Sequence, residues 1–290
     1  QLGMANGIIQ ALTIIAILFS SFAFSFFFES HYIASNDPNV VLQSVWGIGI
    51  ALIAFSALEA YFAFKIPFFF QTAELSEEKF SAKQYASLHY LKENIRTLRQ
   101  NKNIWLSVIG LSLFWGVSQV IVAAFPAHYK AIFHADNAIV IQAILAVSGL
   151  GLILGSYVAG KMSHLHIELG IVPVGAVGIF ISLFCLTLTD SNLFLTICSF
   201  AFGFFGGLFI VPLNATIQYF APEAISGKIM AGNNFMQNVL MVAFLLLSIL
   251  FVKLSLSTTN LLIFALLVCL VGSFYAMLQL PHLFTRLLLL

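Results

Sequence analysis

Eight apolar runs dominate this chain, at 4–28, 41–64, 104–127, 138–160, 170–188, 192–212, 229–252 and 259–280. Crossing the hydrocarbon core of a bilayer takes about 20 apolar residues as helix, and most of these runs are too long for strands. No water reaches backbone groups inside hydrocarbon, so only helices or a closed barrel can span it. Continuous apolarity without period-two alternation excludes the barrel. The predicted fold class is therefore all-α, a polytopic membrane bundle with eight transmembrane helices. Composition agrees: 61% of the residues are hydrophobic and 8% charged, against roughly 25% charged in soluble domains.

Read as spans, the eight runs place ten basic residues on one side: Lys65, Lys79, Lys83, Lys92, Arg96, Arg99, Lys102, Lys161, Lys228 and Arg286. Only Lys130 and Lys253 fall on the other. Short loops rich in Lys and Arg stay cytoplasmic, so both ends of the chain are expected in the cytoplasm. A net charge of +1, with basic residues gathered in loops, gives no continuous basic face for nucleic acid. Cys185, Cys198 and Cys269 lie inside apolar runs without metal or redox spacing, and read as small core hydrophobes. No cofactor or metal site is expected.

The connections are short except at 67–103, where acids, bases, Ser and Asn replace the apolar background. Ser76 can cap a helix with Glu77 and Glu78 in its first turn. Beyond it Tyr85, Leu88, Leu91, Ile95 and Leu98 recur at helical spacing opposite Lys92, Arg96 and Arg99, an amphipathic helix for the cytoplasmic surface. The expected organisation is two spans in 1–66, a linker at 67–103, and a six-helix bundle in 104–290. Many carriers pair equal repeats around a midplane site, so six spans after the linker imply six before it, with four absent from this chain.

Polar side chains inside spans are costly unless paired, and so mark candidate sites. Trp115 and Gln119 are four apart and share a helix face, with Gln119 about 22 Å from the cytoplasmic end at 1.5 Å per residue, and Gln142 lies at similar depth. Near the cytoplasmic end Asn214 and Gln218 follow Pro212, while Asn233, Asn234, Gln237 and Asn238 begin the next span. These amides are candidate substrate contacts or gates, or else simple interhelical hydrogen bonds. Glu59 is the only acid well inside a span, hence a candidate for ion coupling. Gly151 with Gly155, and Gly203 with Gly207, are small-xxx-small pairs for close helix packing. Pro126, Pro173 and Pro212 are expected to kink or end helices. His164 and His166 beside Glu168 read as a solvated turn.

Several segments carry a family resemblance: GLSLFWGVSQV at 110–120, GSYVAGKMSHLHIELGIVPVGAVGIF at 155–180, GFFGGLFIVPLNATIQ at 203–218 and AGNNFMQNVLMV at 231–242. MANGIIQALTIIAI at the start is similar to a fifth helix. Together they resemble the lysophospholipid-transporter branch of the major facilitator superfamily, including the transporter-like domain fused to acyl-ACP-dependent phospholipid acyltransferases. The resemblance implies a carrier that flips lysophospholipid, chiefly lysophosphatidylethanolamine, to the inner leaflet of a bacterial cytoplasmic membrane for reacylation. It implies membrane lipids and lysophospholipid as ligands, and an acyltransferase and acyl-ACP synthetase as partners. LPHLFTRLLLL at 280–290 resembles the segment that precedes the fused acyltransferase, yet no HxxxxD pair for hydroxyl deprotonation occurs in the chain, so no catalysis is expected here. The rival readings are a small-molecule exporter of the same fold and an anchor that presents an acyltransferase without transporting.

Overall fold

A computed structural model describes residues 2–32, 38–65, 89–134, 138–164 and 166–279. Its elements are α1 (Leu2–Tyr32), α2 (Pro38–Lys65), α3 (His89–Gln100), α4 (Lys102–Phe133), α5 (Ala138–Met162), α6 (Ile171–Leu188), α7 (Asn192–Phe220), a 3-10 turn at Glu223–Ile225, α8 (Ser226–Lys253) and α9 (Thr258–Gln279). Among the described residues there is no strand. Helix lies over each of the eight predicted runs. Among the described residues six stretches are long and apolar enough to cross a membrane, and Thr258–Gly272 in α9 is a further apolar stretch.

The chain divides into two compact units, Gln1–Ala16 with Ser81–Leu290, and Ile17–Phe80. In the second unit α2 presents an exposed surface throughout its last fifteen residues, including Phe55, Phe62 and Phe64. Glu59 is exposed on this helix, and Lys65 sits over the Tyr61 ring at 5.5 Å. A helix apolar on every side is stable only with lipid or other helices around it.

In the first unit α5, α6 and α7 form one packed group and α4, α8 and α9 another; α4 against α7 and α9 against α6 join them. The α5–α7 contact is the most extensive, and glycine is the reason. A β-carbon on Gly151 or Gly155 would collide with the Phe200 or Phe204 carbonyl of α7, and one on Gly203 or Gly207 with the Ser148 carbonyl or Ser156 amide of α5. The two predicted small-residue pairs thus face each other. Where lipid removes the hydrophobic drive between helices, such close backbone approach maximises dispersion contact.

The prolines sit within helices. Pro126 and Pro212 lie inside continuous helices, and Pro173 sits in the first turn of α6, where the missing N–H costs little. None of the three ends a helix. Beyond Pro212 the Thr216 hydroxyl donates to the Pro212 carbonyl at 2.7 Å, one way that membrane helices satisfy backbone near a proline. Cys185 is also a correction: it is exposed, whereas Cys198 is buried. The surface of α6 and α7 that carries Cys185, Phe184 and Leu193 faces outward, as an apolar bilayer solvent permits.

The described part of the linker, α3, carries the predicted amphipathic face. Leu98 is fully buried, Leu91 and Ile95 are half-buried, and Lys92, Arg96 and Arg99 are exposed. Its apolar side rests on protein, packing on α8 and α4. Lys228 donates to the Glu93 carboxylate, and the Arg99 guanidinium stacks 4.7 Å above the Trp105 ring. Asn101 then caps α4, accepting from the Asn103 and Ile104 amides at 2.9 and 3.4 Å. Ser76 to Leu88 lie outside the described residues.

Candidate functional site

Because α7 runs unbroken through Pro212, Asn214 and Gln218 stand one turn apart at its end. Asn214 is half-buried. Gln218 is engaged: Asn6 Nδ2 on α1 donates to Gln218 Oε1 at 2.8 Å, and Gln218 Nε2 donates back to Asn6 Oδ1 at 3.0 Å. Asn6 Nδ2 also donates to the Leu2 carbonyl at 2.9 Å, and Asn6 is 8% exposed. Each amide thus satisfies donor and acceptor of the other, which removes the cost of burying them.

The amide pair holds a seam made by small residues. A β-carbon on Gly7 would stand 2.6 Å from the Ser156 carbonyl oxygen and 2.9 Å from Gly160 Cα, and one on Gly3 would strike the Ser163 side chain. The start of α1 therefore lies backbone to backbone on the end of α5, with Gln218 reaching in from α7. This contact joins the helix from before the linker to the bundle after it. Asn6 was not singled out from the sequence, although an amide between two glycines within an apolar run was the available signal.

On α8 the four amides divide between two faces. Asn233 is 1% exposed and accepts from Gln237 Nε2 at 2.9 Å. Asn234 and Asn238 are exposed, with Asn238 Nδ2 donating to the Asn234 carbonyl at 2.8 Å. They share their face with Phe235, Val239 and Val242, each exposed. The opposite face packs on α4, where the Phe244 ring lies against Gly116. Only 11% of the most apolar window of this segment is buried, against 56% for α4. Among the described residues no hydrogen bond joins the α8 amides to Asn214 or Gln218.

Among the described residues no hydrogen bond links the members of the predicted outer cluster. Trp115 and Gln119 are half-buried on α4, with Trp115 edge-on to Phe114. Gln142 is exposed on α5 and makes no hydrogen bond to Gln119. A polar residue that the sequence reading missed is His128 on α4. It is 2% exposed, its Nδ1 lies 3.4 Å from the Thr258 hydroxyl, and its Nε2 has no partner. In the α5–α6 turn His166 pairs with Glu168 at 2.8 Å, and the other Glu168 oxygen accepts from the Gly170 amide at 3.0 Å. Among the described residues no group of His, Cys, Asp or Glu is arranged to hold a metal.

Between α4, α6, α7 and α9 lies an apolar cavity of about 50 Å³ lined by Leu106, Leu113, Phe114, Ile179, Phe209 and Tyr275. The described residues thus hold amides on exposed helix faces, an apolar cleft between helices, and a closed seam between segments on either side of the linker.

The chain matches the sequence profile of the Major Facilitator Superfamily over residues 1–244. It is 33% identical to the lysophospholipid transporter of Cronobacter sakazakii over 169 residues, covering 56% of this chain and 41% of that protein. It is 28% identical to the lysophospholipid transporter of Photorhabdus laumondii over 260 residues, covering 87% of this chain and 59% of that protein. The corresponding protein of Yersinia pestis is 28% identical over 262 residues, covering 88% and 58%. The chain thus spans from two-fifths to three-fifths of the length of these relatives. On the profile match and the long apolar helices, this is a multi-pass membrane protein that belongs to the Major Facilitator Superfamily.

Proposed function

We propose that the protein is a carrier which moves lysophospholipid to the inner leaflet of a bacterial cytoplasmic membrane by alternating access. Residues 1–66 belong to one bundle, 67–103 form the linker, and 104–290 make the second bundle, with both ends of the chain cytoplasmic. The observation that carries this reading is the reciprocal Asn6–Gln218 pair over the Gly3 and Gly7 seam. Neutral amide bonds of this kind contribute on average well under 1 kcal/mol each in membranes, so they can close a passage and yet open thermally. A seam of charged or deeply interlocked groups would not reopen so readily.

In this reading Asn6 and Gln218 form the inner gate. The exposed Asn234 and Asn238 face of α8 meets the headgroup as it passes, and Asn214 stands near the gate with hydrogen-bonding capacity to spare. Trp115, Gln119 and Gln142 would contact the substrate from the outer side. Asn233 accepts from Gln237 within the helix, and the two serve mainly to shape α8. The acyl chain stays against lipid. Glu59 is assigned as a coupling group only through its position in a span. The names of the relatives support lysophospholipid as substrate. An acyltransferase and an acyl-ACP synthetase would use the delivered lipid on the cytoplasmic side.

The test is uptake of labelled lysophosphatidylethanolamine by liposomes holding the full-length protein. The double variant Asn234→Ala, Asn238→Ala should lower the rate at least tenfold with unchanged protein content. Full activity in that variant, or movement of a soluble solute without lysophospholipid, would overturn the reading and favour an anchor or an exporter of the same fold.

A further inference from the structure

Along the seam of α1 and α5 runs a groove of about 360 Å³ lined by Met4 and Ile8 on α1 and by Tyr157, Gly160, Lys161 and His164 at the end of α5. We propose that this groove binds the phosphate headgroup of an anionic phospholipid from the leaflet at that end of α5. The site lies outside the amide positions assigned to the transported lipid and rests on different residues.

Three observations carry it. The first is position: the apolar stretch of α5 ends at Met162, so Lys161 and His164 stand where hydrocarbon gives way to headgroups. At that depth a tyrosine and a lysine place apolar bodies in the acyl region and polar tips in the headgroup layer. The second is charge. No acidic residue lines the groove, and the nearby Glu168 carboxylate is already engaged by His166 and the Gly170 amide. Lys161 therefore offers its ammonium to an anion.

The third is shape. Ile8 is 44% and Tyr157 55% exposed, which leaves an apolar wall on one helix and an aromatic one on the other. The upper acyl carbons of a lipid fit against these walls while the phosphate meets Lys161. Basic pockets between membrane helices suit a phosphodiester in this way, whereas a zwitterionic lipid brings its own compensating cation. Because Met4 and Ile8 come from α1 and the basic groups from α5, the complete groove exists only while the seam is closed. A lipid seated there stabilises the closed seam.

Native mass spectrometry of the full-length protein, titrated with phosphatidylglycerol, phosphatidylcholine or inorganic phosphate, tests the proposal. The wild type should retain one phosphatidylglycerol in preference to phosphatidylcholine. Lys161→Gln should weaken that retention about fivefold, and Ile8→Trp, which fills the apolar wall, should weaken it as well. Lys253→Gln, at the far end of α8, should leave it unchanged. Equal retention by wild type and Lys161→Gln, equal retention of phosphatidylcholine, or displacement by inorganic phosphate at equal concentration would each overturn it. The measurement involves no lysophospholipid, so its failure leaves the transport reading standing, and a failed transport assay leaves this one standing.

Discussion

Replacing Gly7 by alanine probes the α1–α5 seam with one methyl group. The added carbon would stand 2.6 Å from the Ser156 carbonyl oxygen and 2.9 Å from Gly160 Cα, where ordinary contact begins at 3.4 Å. Both obstacles are backbone atoms of a helix that is itself locked on α7, so neither can rotate away. The helices must part by about 0.8 Å, the difference between the first and last of those distances, or the contact must carry the strain. Overpacking of this kind costs about 1–3 kcal/mol. Falling only on the closed seam, that cost shifts the closed-to-open ratio by about 5–150-fold. The readout is alkylation of a cysteine placed at Ser163, which is 1% exposed and lies under Gly3. With Ser163→Cys as the parent, Gly7→Ala should raise the rate of reaction with a water-soluble maleimide by a factor in that range while the melting temperature changes little. Equal labelling in both proteins, or a large fall in melting temperature with no selective labelling, would refute the idea that this seam opens independently of the bundle.

Two other substitutions separate the gate from its scaffold. Gly203→Ala drives a β-carbon into the Ser148 carbonyl between α5 and α7, inside the bundle that is expected to move as one body. It should lower thermal stability by about 1–3 kcal/mol and leave the relative labelling of the seam unchanged, as followed by unfolding in detergent. The Lys228 ammonium, through its hydrogen bond and its charge, holds the Glu93 carboxyl below the usual carboxylate range. A depressed folded-state value stabilises the docked helix above the unfolded value near about 4.3, and the contribution is lost as pH falls through the folded value. Protection factors across 89–100, corrected for intrinsic exchange, should therefore fall in acid below that range, and Glu93→Gln should abolish that fall.

Much of the fold was legible because the bilayer imposes one rule on the backbone. Runs such as 104–127 and 170–188 had to become helices, and α4 and α6 lie over them. The glycine pairs at 151 and 155 and at 203 and 207 announced a close contact, since a four-residue repeat of missing side chains has little other use in lipid. The amphipathic face of α3 was equally plain from Leu91, Ile95 and Leu98. Pro126 and Pro212 do not end their helices, and beyond Pro212 the Thr216 hydroxyl helps to satisfy the freed backbone. Gln218 stood out as an amide in an apolar stretch, and Asn6 carried the same kind of signal between Gly3 and Gly7, but nothing in local spacing links the two across 212 residues.

The residues by themselves determined the solvent, the helical class and the places where helices would press together, because each follows from transfer energies and steric volume counted along one segment. Tertiary structure alone decided which amides meet. Asn233 is buried while Asn234 and Asn238 lie on the exposed face, and Gln218 crosses to Asn6. The physical reason is that a hydrogen bond depends on separations of a few tenths of an ångström between atoms whose positions are set by how whole helices pack.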